Sequence, residues 1–86
     1  LRHITPARLH ELEPLLLRLR GVAALTERRP GGFYLGSRAF LHFHEHHDGL
    51  YADVRLDGID FERMRVTTRA EQSKLVAAIR RCVDGR

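Results

Sequence analysis

From Phe33 to Val66 the chain alternates apolar and polar residues in steps of two, and glycine-bearing dipeptides interrupt the alternation at short intervals. Period two is the repeat of a strand with one buried face, so this stretch calls for a sheet and excludes a helical bundle. Phe33–Leu35 and Ala39–Glu45 flank the tight turn Gly36-Ser37-Arg38. Leu50–Leu56 follows Asp48-Gly49, and Ile59–Val66 follows Asp57-Gly58. Asp-Gly between alternating runs is a strong hairpin signal, because the turn positions need positive φ. Pro30-Gly31-Gly32 marks a further turn; before it, Val22–Arg29 reads as loop with a short strand at Leu25–Arg28.

Helical signals lie on either side. Thr5 is a natural N-cap with Pro6 at the first helical position, and Leu9, Leu12, Leu15, Leu16 and Leu19 follow at helical spacing. Pro14 must kink or split that run, with Glu13 capping a second segment, and Gly21 ends it. Thr68-Arg69-Ala70-Glu71 is a capping box ahead of a helix with the stripe Leu75, Val76, Ile79, Cys82 and Val83. Cys82 on that stripe reads as a buried small hydrophobe. The expectation is a single α+β domain over residues 1–86. An antiparallel sheet of three to five strands is flanked by N-terminal and C-terminal helices in two layers, in the order α-β-β-β-(β)-α.

No apolar run approaches the roughly 18 residues of a membrane span. A lone cysteine, Cys82, rules out an internal disulfide and a cysteine-based metal site. No apolar signal segment is visible either, so the expectation is a cytoplasmic protein without a membrane partner. The net charge of +4 is uneven: residues 41–60 carry −4, together with four of the six histidines, while both terminal regions are basic.

The stretch Gly32–Arg55 reads GFYLGSRAFLHFHEHHDGLYADVR, with LDG next and VTTRAEQ at 66–72. This pattern resembles a family of small uncharacterised bacterial proteins that share an FY-x3-RAFLHFHE core. The resemblance covers the chain from the Pro30 turn onward. More distantly, the helix–strands–helix plan is similar to YjbR-type domains, which implies an α+β fold and, by analogy, a nucleic-acid partner.

A two-residue turn at Asp48-Gly49 would set His44 opposite Asp53, Phe43 opposite Val54, His42 opposite Arg55 and His46 opposite Tyr51. Leu41, Phe43, Val54 and Leu56 then form the core face. The other face carries His42, His44, His46, Tyr51, Asp53 and Arg55. A tight turn at Asp57-Gly58 adds Asp60 beside Arg55 and Glu62 beside Asp53, and sends Ile59 and Phe61 to the core. Met64 and Val66 break that alternation and predict a bulge near Arg63. Phe33 and Phe40 would fall near the histidine side.

Three readings of this histidine face follow. It is a solvated sheet face with ordinary cross-strand pairs. It is a divalent-metal site, such as zinc, in which His42, His44 and Asp53, with Glu62 or His46, supply neutral imidazole and carboxylate. Or it is a recognition surface using Tyr51 and Arg55, with Arg69, Lys74, Arg80 and Arg81 of the last helix as the electrostatic footprint for nucleic acid. Ser37 and Ser73 lack a nucleophile context. The sequence therefore favours a small non-catalytic domain binding a protein or nucleic acid, with room for a homodimer. A metal-binding protein is the alternative.

Overall fold

The computed structural model describes residues 1–85 as an α+β fold. Strands are β1 (Arg2–His3), β2 (Leu25–Arg29), β3 (Gly32–Leu35), β4 (Arg38–His46), β5 (Gly49–Val54) and β6 (Glu62–Arg65). Helices are α1 (Pro6–His10), α2 (Glu13–Arg20) and α3 (Arg69–Asp84). All pairings are antiparallel, in the order β2-β3-β4-β5-β6. The sheet has six strands, more than the alternation predicts, because the two-residue β1 pairs with β4. On the edge of β4 away from β5, β3 pairs with Arg38–Leu41 and β1 with His44-Glu45.

Pro14 splits the first helical run. The N–H groups of Glu11 and Leu12 close α1 on the carbonyls of Arg8 and Leu9, and α2 begins at Glu13 with Pro14 in its first turn. Glu13 is not the cap: Leu12 holds that position without a side-chain bond, and the Glu13 carboxylate accepts from Arg20. The capping box of α3 forms as its sequence dictates, Thr68 Oγ1 accepting from the Glu71 N–H and Glu71 from the Thr68 N–H. Leu15, Leu16 and Leu19 of α2 and Leu75, Val76 and Ile79 of α3 join Phe33, Leu41, Phe43, Ala52 and Val54 in one buried cluster. Cys82 packs against it, its Sγ 3.3 Å from the Leu56 carbonyl.

Two registers differ from expectation. The β4–β5 turn is His47-Asp48, so His42 opposes Asp53, Phe43 opposes Ala52 and His44 opposes Tyr51. Gly49 is instead the first residue of β5. A Cβ there would lie 2.5 Å from Thr67 Oγ1, which accepts the Leu50 N–H at 2.9 Å. The shift is two residues, an even number, so every side chain keeps its expected face.

The β5–β6 register moves by one residue, which is odd and exchanges the faces of β6. Asp57-Gly58 is no tight hairpin turn. Asp57 Oδ1 accepts the N–H groups of Ile59 and Asp60, and residues 55–61 form a longer connection. Ile59 and Phe61 are exposed rather than core. Glu62 opposes Val54 and Arg63 opposes Asp53. Met64 is then half-buried and Val66 buried with no irregularity at Arg63, so the expected bulge there is not needed. The bulge in the sheet's middle lies at Phe40, between the pairs Phe33–Leu41 and Tyr34–Ala39. It turns Phe40 inward, and Phe33 and Phe40 are both core residues, not neighbours of the histidines.

Glu45 is the second organising residue of β4. Its carboxylate is buried and accepts the Thr5 N–H at 2.8 Å, the Thr5 hydroxyl at 3.0 Å and two N–H groups of Arg2 at 2.8 and 3.1 Å. These donors, the Thr5 amide first, hold its pKa down to about 2. One carboxylate thus ties β1 and the start of α1 to the sheet.

Gly31 has φ +76°, and a Cβ on it would sit 2.8 Å from Leu9 Cδ1. Gly31→Ala should therefore cost about 2 kcal/mol or more. That predicts a melting temperature lower by roughly 10 °C in a thermal scan. For Glu45, a depressed pKa means stability that is complete above the ordinary value near 4.5 and is lost as pH falls towards about 2. Glu45→Gln should melt lower at neutral pH and show a flatter dependence of melting temperature on pH across that window.

Candidate metal centre on the outer sheet face

Alternation along β4 turns His42 and His44 to the side opposite Leu41 and Phe43. Asp53 opposes His42 across the β4–β5 ladder and lies diagonal to His44. Its Oδ2 is 3.1 Å from Nε2 of His44 and 3.5 Å from Nε2 of His42. One donor atom from each of the three residues falls within 4.8 Å of the others. The His42 and His44 ring centroids are 4.9 Å apart, edge to face. Asp53 is only 8% exposed, and the His44 side chain 13%.

Arg63 is the counter-charge. From β6 it donates Nε to Asp53 Oδ1 at 2.8 Å and Nη2 to Oδ2 at 2.9 Å. Burial works to raise the Asp53 pKa, but the hydrogen bonds and charge of Arg63, aided by His44 and His42, hold it below its ordinary value. The His42 pKa is also lowered, by burial first and then by His44, against the pull of Asp53; His3 and Arg29 push the same way. At neutral pH the site therefore offers an ionised carboxylate and an uncharged His42 imidazole. Nδ1 of His44 is buried without a hydrogen-bond partner.

His3 is the histidine that periodicity did not reveal. It opposes His44 in the β1–β4 pair, and its ring centroid lies 5.0 Å from His44 and 6.2 Å from His42. A two-residue strand is too short to read as alternation. A cleft of about 190 Å³, lined by His3, Arg29, Gly31 and His42 among others, opens beside the cluster. Phe61 bounds the other side, edge-on to His42 at 4.9 Å, with the Arg55 guanidinium 4.3 Å over its face.

The remaining sequence candidates fall outside this group. Glu62 does not reach Asp53; the one-residue shift gives that place to Arg63. His46 Nδ1 sits 3.1 Å from Asp48 at the hairpin turn, its ring 4.0 Å from that of His47. Tyr51 donates to the same Asp48 oxygen at 2.9 Å. Arg55 is not opposite His42, as expected, but begins the loop and stacks on Phe61. Arg69, Lys74, Arg80 and Arg81 are exposed along α3. No helix among the described residues is long and apolar enough to cross a membrane.

Comparison of the chain with protein-family models, curated proteins and solved structures returns no match. The reading of the site therefore stands on its geometry.

Removing Arg63 should expose how strongly it holds the carboxylate. Arg63→Met deletes two charge-assisted hydrogen bonds to a buried acid. Because Arg63 is half exposed, the loss should be modest, seen as a lower midpoint in urea denaturation. The Asp53 carboxyl resonance, followed by NMR, should titrate at higher pH in the variant than in the wild type.

Proposed function

We propose that this domain is a small non-catalytic binding module whose outer sheet face holds one divalent transition-metal ion through His42, His44 and Asp53. The observation that carries this reading is the convergence of two Nε2 atoms on Asp53 Oδ2 at 3.1 and 3.5 Å. Ligand atoms bound to one tetrahedral zinc ion lie about 3.3 Å apart, given zinc bonds near 2.0–2.1 Å. The donor set is two imidazoles and one carboxylate, which suits zinc and its neighbours better than calcium or magnesium. An ion at this point would sit between the two imidazole nitrogens and the carboxylate oxygen. Arg63 bonds both oxygens; it would keep Oδ1 and orient the acid, as a hydrogen-bonded outer partner does in metal sites, but give up its Nη2 bond to Oδ2.

Two features of the site weaken binding: the Arg63 guanidinium on Oδ2 repels a cation, and His44 lacks an outer partner. A metal on His44 Nε2 puts the remaining proton on Nδ1, which has no acceptor among the described residues. Missing outer-shell partners typically cost 10–100-fold in metal affinity. Moderate affinity is the expectation. In this reading α2 and α3 form a single layer on the sheet face opposite the histidines, leaving the metal face open to a partner. The exposed bases of α3 support a second surface, for nucleic acid, whose affinity would fall steeply with salt.

The test is metal analysis of untagged protein followed by zinc titration of wild type and His44→Ala. Wild type should bind one equivalent. At a hundredfold excess over Kd, it should gain about 2.7 kcal/mol, seen as a melting temperature higher by roughly 10–20 °C. His44→Ala should lose both effects. Binding should weaken at acid pH, in a window displaced below the ordinary histidine range because the His42 pKa is lowered, as protons compete for its imidazole. Equal stabilisation of the variant, or no binding by the wild type, would remove the metal from this face.

A further inference from the structure

We infer that His3, delivered by β1, is the fourth ligand of the ion held by His42, His44 and Asp53, so that filling the centre fastens the N-terminal strand to the sheet. This rests on the metal reading above.

A tetrahedral ion bound by three protein atoms has one position left. His3 is a further imidazole on that face, directly across the ladder from His44. Two imidazoles that share an ion through nitrogens about 2 Å from it have ring centroids about 5 Å apart. The His42–His44 separation is 4.9 Å and the His3–His44 separation 5.0 Å. The His3–His42 separation, 6.2 Å, is longer, and His3 lies outside the three residues whose donor atoms already fall within 4.8 Å, so binding requires its ring to swing inward. His3 is exposed and makes no hydrogen bond among the described residues, so turning its ring breaks none.

The attachment of β1 does not use the His3 ring. Arg2 and Thr5 hold the strand to Glu45, and the Ile4 N–H reaches the Phe43 carbonyl at a long 3.4 Å. A two-residue strand held at its ends is among the elements that open most readily. Ligation at His3 supplies a bond in the middle of it. It also decides the character of the centre. With His3 bound, the shell is closed and structural; with β1 lifted away, one position is free for an external ligand.

Cobalt(II) is the probe, titrated into the full chain as wild type, His3→Ala and His44→Ala, with visible absorption and amide exchange as readouts. Wild type should take one equivalent with the intense visible bands of a four-coordinate ion, and cobalt should slow exchange of the Ile4 amide. His3→Ala should melt like wild type without metal. It should bind cobalt at least tenfold more weakly, show altered bands and take up azide that the wild-type centre refuses. The Ile4 amide should then be insensitive to cobalt. If His3→Ala matches wild type in affinity and spectrum while His44→Ala fails to bind, His3 is not a ligand and only the three-residue centre survives. If wild type itself binds no cobalt, the centre and its fourth ligand fall together.

Discussion

The β4 strand is paired along both edges, and its pleat decides what every neighbour can be. Odd positions from Leu41 to Glu45 face the interior; His42, His44 and His46 face out. β5 fixes one edge of β4, and β3 and β1 share the other. A slip of one residue in β4 would carry Phe43 into water and histidines into the core, so the burial of the apolar face holds the histidine face in register. Glu45 is the exception at the end of the inward row. It is buried, and tolerable there only because Arg2 and Thr5 meet both of its oxygens.

The chemistry of the outer face turns on a second buried carboxylate. Asp53 sits between a permanent cation, Arg63, and two titratable bases, His42 and His44. Arg63 alone would make it a structural ion pair. The histidines, uncharged at neutral pH in the case of His42, add lone pairs that an arginine cannot use. Cross-strand pairing thus brings an acid and two imidazoles within reach of one another on this face.

Much of the architecture was legible in the sequence because it depends on local rules. The capping box at Thr68, the proline split at Pro14 and the core stripes of both longer helices follow from residue chemistry within a turn. The face assignment of His42, His44 and Asp53 also survived, although the turn was misplaced. An even error in register leaves faces unchanged, so the site tolerated the mistake. Glu62 was lost to an odd error. The sequence held the correcting signal: Met64 and Val66 pointed to the true parity of β6, while Ile59 and Phe61 lay in a loop that Asp57 curls with its own side chain. β1 was illegible for a different reason. Two residues carry no period, and their strand exists only because a distant acid, Glu45, receives them.

The parity of β6 also bears on what the chain avoids. In the competing hairpin, slipped by one residue, Glu62 would stand across from Asp53 with no cation between them, and Met64 and Val66 would turn to solvent. Charge and hydrophobicity thus reject the same wrong pairing. The connection over residues 55–61 is held by Asp57 and makes no ladder pairs of its own. Arg63 is a lock on the pairing of two strands as much as a partner for one acid. A homologous chain with a shorter or longer loop here should still keep an arginine or lysine facing its aspartate.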